Sequence, residues 1–350
     1  MVNYEERDGL KYMMEQRWHA GAKEQFPSDL KDCIEKFKQI EAVLDSEYHL
    51  YVNLGAAVNN TGLLTDHGPD HVQMVMRRAL QIVGEKRAEL LNGYEMFLLL
   101  LAIHFHDLGN IFGREEHEQK IIDVMDKMGN VLPLNIIDRE FVREIAMVHG
   151  GYADEERTDK DTIRALKTVE LRDSIPVRPS VLAAILRFAD ELADDFSRAG
   201  KIGIPPENEI FHAYSSALET NIQGDTVSLR YRIPYEHTQR KMKKGGNDIY
   251  LYDEIRNRLE KCLCELEYCR KYSDGFIGIT TISVTIGVIC GRKTEPVDTF
   301  RLRLLGYPNN FILNSLIERT DQDGILLTDQ TLKYETGEDL MRNIKERSAT

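Results

Sequence analysis

Paired cysteines and long apolar runs are both missing from this 350-residue sequence, and each absence excludes a class of protein. None of the five cysteines forms a CxxC pair, which argues against a disulfide framework and favours reduced thiols in a cytosol. The longest apolar run, residues 96–103, is much shorter than the roughly 20 residues that a bilayer requires. The N-terminal segment has no basic stretch followed by an apolar one, so we expect no secretory signal and a cytoplasmic location.

Positive charge is scarce in the N-terminal part of the chain. The net charge is −13, and residues 1–200 carry 36 acidic against 24 basic residues, whereas residues 201–350 carry 22 against 21. An acidic half argues against a broad nucleic-acid surface. It suits a soluble acidic surface or a domain that holds cations.

Helical periodicity dominates the first 200 residues and gives way to alternating patterns afterwards. A joint rich in glycine and proline, residues 201–210, separates the two regions. We therefore predict a mainly α protein, with a helical domain over 1–200, its core at 50–200, and a mixed α/β extension over 201–350. The predicted helices are 30–44, 71–87, 94–108, 116–128, 138–148, 159–171, 180–197, 247–272 and 338–345, and the predicted strands are 211–220, 226–235 and 279–289.

Histidine is concentrated in one part of the helical region. Six of the ten histidines lie between residues 67 and 149, and imidazole is the commonest metal ligand in proteins. The pair His106-Asp107 follows an apolar helix, where a carboxylate is costly unless it is paired or coordinates a cation. Adjacent residues on a helix diverge by about 100°, so both reach one ion only where the helix end opens, which Leu108-Gly109 permits.

A second acidic candidate lies at the end of another apolar helical pattern. Asp190 follows that pattern without a break, and we interpret it as a metal ligand. Asp194 is one turn further and shares its face on a continuous helix. We interpret Glu191 and Asp195 as part of a solvated helix end.

The order of these segments resembles the HD superfamily of metal-dependent phosphohydrolases, whose signature is H…HD…D. The segments are HVQMV at 71–75, HFHDLGN at 104–110, EEHEQ at 115–119, MVHGG at 147–151 and RFADELADD at 187–195, so the resemblance covers about residues 50–200. The segment TDHGPDH, the helical core and the appended α/β region resemble the HD-CE group, which is associated with bacterial conflict systems.

The resemblance implies a role for each matching position. It makes His71, His106, Asp107 and Asp190 the ligands of one metal ion. His117 and His149 match the extra histidines that bind a second metal or act as acid and base, and Asp107 could then bridge two ions. Three further residues are candidates for contact with the substrate phosphate because of their positions beside the ligands: Arg187, Arg114 and His67. His104, two residues from His106, is interpreted as structural.

The activity that the resemblance implies is hydrolysis of a nucleotide, as a (d)NTP triphosphohydrolase or a nucleotide phosphodiesterase, in antiviral defence. We expect one or two divalent ions, without choosing among Mn, Mg, Fe, Ni, Co and Zn. We expect a small-molecule nucleotide as substrate, no membrane, and a homo-oligomer or a defence-system protein as further partners. The sequence differs from two branches of the superfamily. Residues 150–157 read GGYADEER instead of the HD-GYP signature, and Asn110 stands where the HDxxH form has histidine.

Two alternatives remain open at this point. Some HD-fold proteins hold two irons and are oxygenases, and the same six ligands satisfy their pattern. A catalytically silent domain that binds a nucleotide and regulates a partner is the other alternative, although no core ligand is missing from the sequence.

Overall fold

A computed structural model describes residues 9–58, 67–199, 204–303, 317–319 and 331–348. Its helices and C-terminal mixed sheet confirm the expected fold class. The helices are α1 Gly9–His19, α2 Cys33–Val43, α3 His49–Val58, α4 Pro69–Val83, α5 Glu85–Ala88, α6 Gly93–Phe105, α7 Ile121–Met128, α8 Ile136–Met147, α9 Pro179–Glu191, α10 Glu209–Ala217, α11 Tyr235–Thr238, α12 Leu251–Tyr272 and α13 Gly337–Ser348. The strands are β1 Glu170–Arg172, β2 Ile175–Val177, β3 Leu218–Gln223, β4 Thr226–Pro234, β5 Met242–Lys244, β6 Asn247–Ile249, β7 Thr281–Cys290, β8 Lys293–Arg303 and β9 Ile317–Glu318.

Internal contacts divide the chain into two units. The first contains the described residues up to Ala193 together with Tyr268–Gly278. The second contains Asp194–Glu267 and the described residues from Ile279 onward. The joint expected at 201–210 begins outside the described residues, as does the start of the TDHGPDH segment.

Helix α6 forms the centre of the first unit. Every one of its residues is buried, which agrees with a sequence that is apolar nearly all round. Helices α1, α2, α4, α8 and α9 pack against it. Asn92 and Glu95 form a capping box at its N-terminus, and the Glu95 carboxylate also accepts hydrogen bonds from Arg178. The stretch Gly93–Phe112 is long and apolar enough to cross a membrane, but it lies buried inside the protein, as a core helix does.

The ends of three helices meet where the histidine-rich segments lie. Helix α6 ends at Phe105 and continues into a 3₁₀ turn over Leu108–Phe112. Helix α3 packs directly on this turn, because a Cβ on Gly55 would lie 2.3 Å from the carbonyl oxygen of Asn110. The start of α4 and the last turn of α9 complete this region.

The second unit is built on a five-stranded sheet with the order β3-β4-β7-β8-β9. Strands β4 and β7 are parallel, and the other neighbours are antiparallel. Alternate residues of β4 are buried, including Val227 and Tyr231, as expected of a sheet with one face in a core. The basic segment at 240–244 contributes β5, which pairs with β6 in a hairpin.

The sequence-based assignment of secondary structure was wrong in several places, including residues 247–249, which were predicted to be helical and form strand β6. The helix predicted over 159–171 is a 3₁₀ turn at Ile163–Ala165 followed by the β1–β2 hairpin, because Asp173 and Ser174 adopt positive φ and reverse the chain. The strand predicted over 211–220 is helical up to Ala217 and extended only from Leu218. Helix α9 stops at Glu191, so Asp194 does not continue the face of Asp190.

Candidate metal centre

Four side chains from three helices bring their donor atoms together in the first unit. His71 Nε2, near the start of α4, lies 3.1 Å from Asp190 Oδ1, 3.3 Å from His106 Nε2 and 3.5 Å from Asp107 Oδ2. His106 Nε2 lies 3.3 Å from Asp107 Oδ2 and 3.7 Å from Asp190 Oδ1. We call His71, His106, Asp107 and Asp190 the four-residue cage.

A second group shares Asp107 with the cage. The other carboxylate oxygen, Asp107 Oδ1, lies 3.2 Å from His117 Nε2 and 3.9 Å from His149 Nε2. The rings of His106 and His149 are 5.0 Å apart, and those of His117 and His149 are 5.3 Å apart. Asp107 therefore presents one oxygen to each group, which is the arrangement of a carboxylate between two ions.

Main-chain carbonyl groups set the orientation of three of these histidines. Nδ1 of His106 lies 2.7 Å from the Ile103 carbonyl oxygen, and Nδ1 of His149 lies 2.6 Å from that of Ala146. Nδ1 of His117 likewise lies 3.2 Å from the carbonyl of Arg114. Because a carbonyl oxygen only accepts, Nδ1 must carry the hydrogen, and in the neutral ring the lone pair is then on Nε2. In the neutral form of each ring, the Nε2 lone pair therefore faces Asp107.

The turn after α6 depends on a glycine and an asparagine. A Cβ on Gly109 would lie 1.8 Å from the carbonyl oxygen of His117, so only glycine allows the His117 segment to approach. One residue later, Asn110 donates a hydrogen bond from Nδ2 to Asp107 Oδ1 over 2.9 Å. Arg114 is half-buried nearby, with a nitrogen 3.5 Å from Asn110 Oδ1.

His67 lies against the cage although it precedes the first turn of α4. Its Nδ1 is 2.8 Å from Asp107 Oδ2, and its main-chain N–H donates to Asn53 Oδ1 over 2.7 Å. The sequence suggested a phosphate contact for His67. That contact stays a prediction, and the structure places His67 on the shared carboxylate, where it could support Asp107 or become a further ligand.

The two carboxylates make the centre strongly attractive to positive charge. Burial alone would lower the pKa of His106, but Asp107 and Asp190 raise that pKa to about 10. Burial would raise the pKa values of Asp107 and Asp190, yet the neighbouring histidines hold both well below the usual range. Burial, followed by repulsion from His106 and His117, lowers the pKa of His149 to about 4.

The donor atoms fit a divalent ion. His117 Nε2 and Asp107 Oδ1 are 3.2 Å apart without hydrogen-bond geometry, and within the described chain this nitrogen has no hydrogen-bond partner. Two acceptors so close repel each other unless a cation lies between them. Ligands about 2.1 Å from a tetrahedral or octahedral ion are themselves about 3 to 3.5 Å apart, close to the separations within the cage. Imidazole and carboxylate donors together suit Mn, Fe, Co, Ni and Zn.

Accessibility differs sharply among these ligands. The side chains of His71 and His106 are fully buried, whereas that of Asp190 is 29% exposed. His117, His149 and Asp107 are buried but not sealed, with 6 to 7% of each residue exposed. The solvent-accessible side of the centre is therefore that of Asp190 and the second group, not that of His71.

The two arginine candidates have different surroundings. Arg187 is buried, and its guanidinium donates to the Thr162 hydroxyl and the Lys160 carbonyl and stacks on the Tyr268 ring. These contacts use the guanidinium in packing within the first unit. Arg114 is the better placed of the two for a phosphate, because it is linked through Asn110 to Asp107.

Some supporting residues were not identified from the sequence. Asn110 was noted only as a departure from HDxxH, although its spacing of three residues from Asp107 is that of one 3₁₀ turn. Glu118 Oε2 lies 3.3 Å from His117 Nδ1, and Asn53 is remote in sequence. No pattern in the sequence points to Asn53.

Comparison with known families gives one match. A family model described as HD-CE matches residues 61–261, which is more than half of the chain. Searches of curated proteins and of solved structures give no match. The match and the clustered histidines and aspartates together identify an HD-type domain that resembles metal-dependent hydrolases.

Proposed function

Because the chain belongs to the HD-CE family, we propose that it is a metal-dependent phosphohydrolase that acts on a nucleotide. The observation that carries this proposal is the convergence of four potential ligand atoms, His71 Nε2, His106 Nε2, Asp107 Oδ2 and Asp190 Oδ1, whose measured separations are 3.1 to 3.7 Å. Two buried carboxylates beside two imidazoles need positive charge between them, which a divalent cation would supply.

The cage would hold the first ion, and Asp107, His117 and His149 a second. Such ions supply Lewis acidity and a water of lowered pKa. Asp107 positions both groups and is itself held by Asn110 and His67. Where no second ion is bound, a pKa of about 4 keeps His149 neutral at physiological pH, so its Nε2 could accept a proton from an attacking water. In that case His117 Nε2 would be a second nitrogen that can accept a proton and then deliver it to the leaving oxygen.

A nucleotide is favoured as substrate by family membership and by Arg114. A half-buried guanidinium beside the shared carboxylate can neutralise a phosphate as it approaches the ions. We propose a (d)NTP triphosphohydrolase or a nucleotide phosphodiesterase that works in the cytoplasm in antiviral defence, since the HD-CE group is associated with conflict systems.

The test joins metal analysis to a substrate screen. The purified protein would be analysed for bound metals, stripped with a chelator and reloaded separately with Mn²⁺, Mg²⁺ and Fe²⁺. Each form would be incubated with ribonucleoside and deoxyribonucleoside triphosphates and with cyclic and short oligonucleotides. We expect release of phosphate, pyrophosphate or triphosphate, or opening of a phosphodiester, only in the presence of a metal.

The decisive comparison is with the double variant His106→Ala plus Asp107→Ala. A matched control is His19→Ala plus Asp123→Ala, which removes the same residue types from exposed positions. We expect the control to keep full activity and the cage variant to lose it by at least about 10³-fold. Equal product release by all three proteins would show that the assigned centre is not the active site.

The two-group arrangement also favours a second candidate, a di-iron oxygenase. Its specific support is Asp107, which presents a different oxygen to each group. Aerobic and anaerobic assays of the iron-loaded protein separate the two functions. Oxygen uptake coupled to substrate loss identifies the oxygenase, whereas a phosphohydrolase releases the same product in both atmospheres.

A further inference from the structure

A second set of side chains of metal-ligating type lies on another side of α6. His104 is two residues before His106, so its ring points about 200° around the helix from the cage. It meets Asp45 and His49, and these three residues bring one potential ligand atom each to within 4.8 Å of one another. We call Asp45, His49 and His104 the α6 rear cluster.

An irregular helix brings Asp45 and His49 close to His104. Helices α2 and α3 are joined without a break by a π-helical segment, Leu44–Tyr48. Glu41, Asp45 and His49 follow one another at intervals of four residues along it. His49 Nδ1 lies 3.6 Å from Asp45 Oδ1, and His104 Nε2 lies 3.8 Å from Glu41 Oε1. π-helical insertions are rare and occur frequently at functional sites.

Three of the four ring nitrogens of this cluster are buried and have no hydrogen-bond partner among the described residues: His49 Nδ1 and both nitrogens of His104. His49 Nε2 lies 3.1 Å from the His104 carbonyl oxygen, so it must donate, which leaves Nδ1 with the lone pair in the neutral ring. A lone pair then faces the Asp45 carboxylate with no hydrogen between them.

His104 has fewer hydrogen-bond partners among the described residues than His49 has. The residue is 1% exposed, and neither of its ring nitrogens has a hydrogen-bond partner among the described residues. A buried polar atom left unsatisfied is costly, because it has lost its hydrogen bonds to water without gaining others. An ordinary core histidine would donate to a nearby acceptor, as His106, His117 and His149 all do.

We propose that the α6 rear cluster binds a divalent transition-metal ion of the Zn²⁺ type, separate from the four-residue cage. Two imidazoles and one carboxylate are a common zinc ligand set, and Glu41 is close enough to supply a fourth ligand. Donors around tetrahedral zinc are about 3.3 to 3.5 Å apart, so the observed separations need only small movements. Asp45 can make them, because its side chain is 39% exposed.

Lysine is the competing source of positive charge in this region. Lys11 Nζ lies 2.7 Å from Glu41 Oε2 and partly neutralises that carboxylate. Neither Lys11 nor any other described donor forms a hydrogen bond to His49 Nδ1 or to the ring nitrogens of His104. A metal ion would bind the His49 lone pair, one ring nitrogen of His104 and the Asp45 carboxylate together. Such an ion would link the α2–α3 helix to α6, whose C-terminal end leads into the four-residue cage.

The test compares two variants that differ in position but not in charge. Asp45→Asn removes the exposed ligand, and Glu47→Gln removes one negative charge two residues away on the same π-helical segment, from an exposed side chain. Metal-free full-length proteins would be titrated with Zn²⁺ and, separately, with Co²⁺, whose visible absorption reports tetrahedral nitrogen and oxygen ligands. We expect Glu47→Gln to match wild type and Asp45→Asn to bind one ion fewer, or that ion at least about 10-fold more weakly.

A second comparison separates this site from the cage. In the His106→Ala plus Asp107→Ala background, one Zn²⁺ should remain, and adding Asp45→Asn should remove it. Circular dichroism checks that each protein is folded, and Asp45→Asn in the wild-type background keeps the test usable if the cage variant does not fold. Equal stoichiometry and affinity in wild type and Asp45→Asn would overturn the proposal, whether or not the cage proves catalytic.

Discussion

Asn110 donates a hydrogen bond to Asp107 Oδ1, the same oxygen that faces His117 and His149. Asn110 is fully buried and stands one 3₁₀ turn after the aspartate. The amide can donate to this carboxylate without competing for an ion, so it fixes which way the carboxylate plane is turned. The residue that distinguishes this chain from the HDxxH form is therefore a positioning residue for the shared ligand.

Replacing Asn110 should weaken the centre through Asp107. We expect Asn110→Ala to lower metal affinity and kcat/KM by about 10- to 100-fold, as is typical when a residue that orients a ligand is lost. Asn110→Asp should be worse, because it places a second carboxylate against Asp107. Metal titration measures the change in metal affinity, and thermal melting of the metal-free proteins shows whether the substitution also changes the stability of the fold. An unchanged metal affinity in folded Asn110→Ala would contradict this role.

Removing the metal should destabilise the first unit. A ligand that binds only the folded state adds about 2.7 kcal/mol at 100 times its Kd, which corresponds to a rise in Tm on the order of 5 to 10 °C. We expect Mn²⁺ or Zn²⁺ to raise Tm of the chelator-treated protein by this amount. To isolate the cage from the α6 rear cluster, the shift should be compared with that of His106→Ala plus Asp107→Ala, in which it should be clearly smaller. The same shift in both proteins would place the stabilising ion elsewhere.

The two arginines near the centre should give opposite phenotypes. Arg187 is buried with three contacts in the first unit, so Arg187→Ala should lower the free energy of unfolding by roughly 3 kcal/mol, because it leaves polar partners unsatisfied. Arg114 is half-buried and has a long contact, so Arg114→Ala should leave Tm nearly unchanged and raise KM for the nucleotide about 10-fold. Denaturant unfolding and steady-state kinetics distinguish them. A loss of activity without a loss of stability in Arg187→Ala would instead support its predicted contact with the substrate phosphate.

Asp138 should make stability depend on pH. It is buried at the start of α8, where Oδ1 accepts from the Tyr94 hydroxyl and Oδ2 has no partner among the residues that the structure describes. Burial raises its pKa, so the folded protein keeps a proton that the unfolded chain has already released. Its contribution to stability is complete below about pH 3.9, the unfolded value, and is lost as pH rises through the folded pKa.

The variant Asp138→Asn removes this titration while keeping an acceptor for Tyr94. We expect it to be more stable than wild type at pH 7.5, by about 1 kcal/mol, and to lose that advantage at pH 4. Urea unfolding at both pH values measures the difference. A difference that is the same at pH 4 and pH 7.5 would show that Asp138 is not the titrating group.

The fold class and the principal helices could be predicted because their signals are local. An apolar pattern such as that of α6 specifies a buried helix whatever surrounds it. The failures occurred where partners remote in sequence decide the structure. Residues 170–177 pair as a hairpin. Arg172 in this hairpin donates hydrogen bonds to the carboxylate of Asp29, which lies 143 residues earlier in the sequence. Local helical preference could not reveal that pairing.

The candidate ligands could be named from motif order, but their geometry could not. Spacing along the chain does not indicate that Asp107 divides its two oxygens between two groups, or that His67 reaches it from outside α4. The α6 rear cluster was missed for a related reason. His49 had no motif context, and only a π-helical segment brings it beside His104.

The hydrogen bonds from His106, His117 and His149 all end on main-chain oxygens. Every residue type carries such an oxygen, so no exchange of Ile103, Arg114 or Ala146 for another amino acid deletes the acceptor. The position of the main chain therefore determines which nitrogen of each ring carries the hydrogen. The side chains around the centre can therefore be replaced, which would change the molecules that fit there. The orientation of the three histidine rings would stay the same.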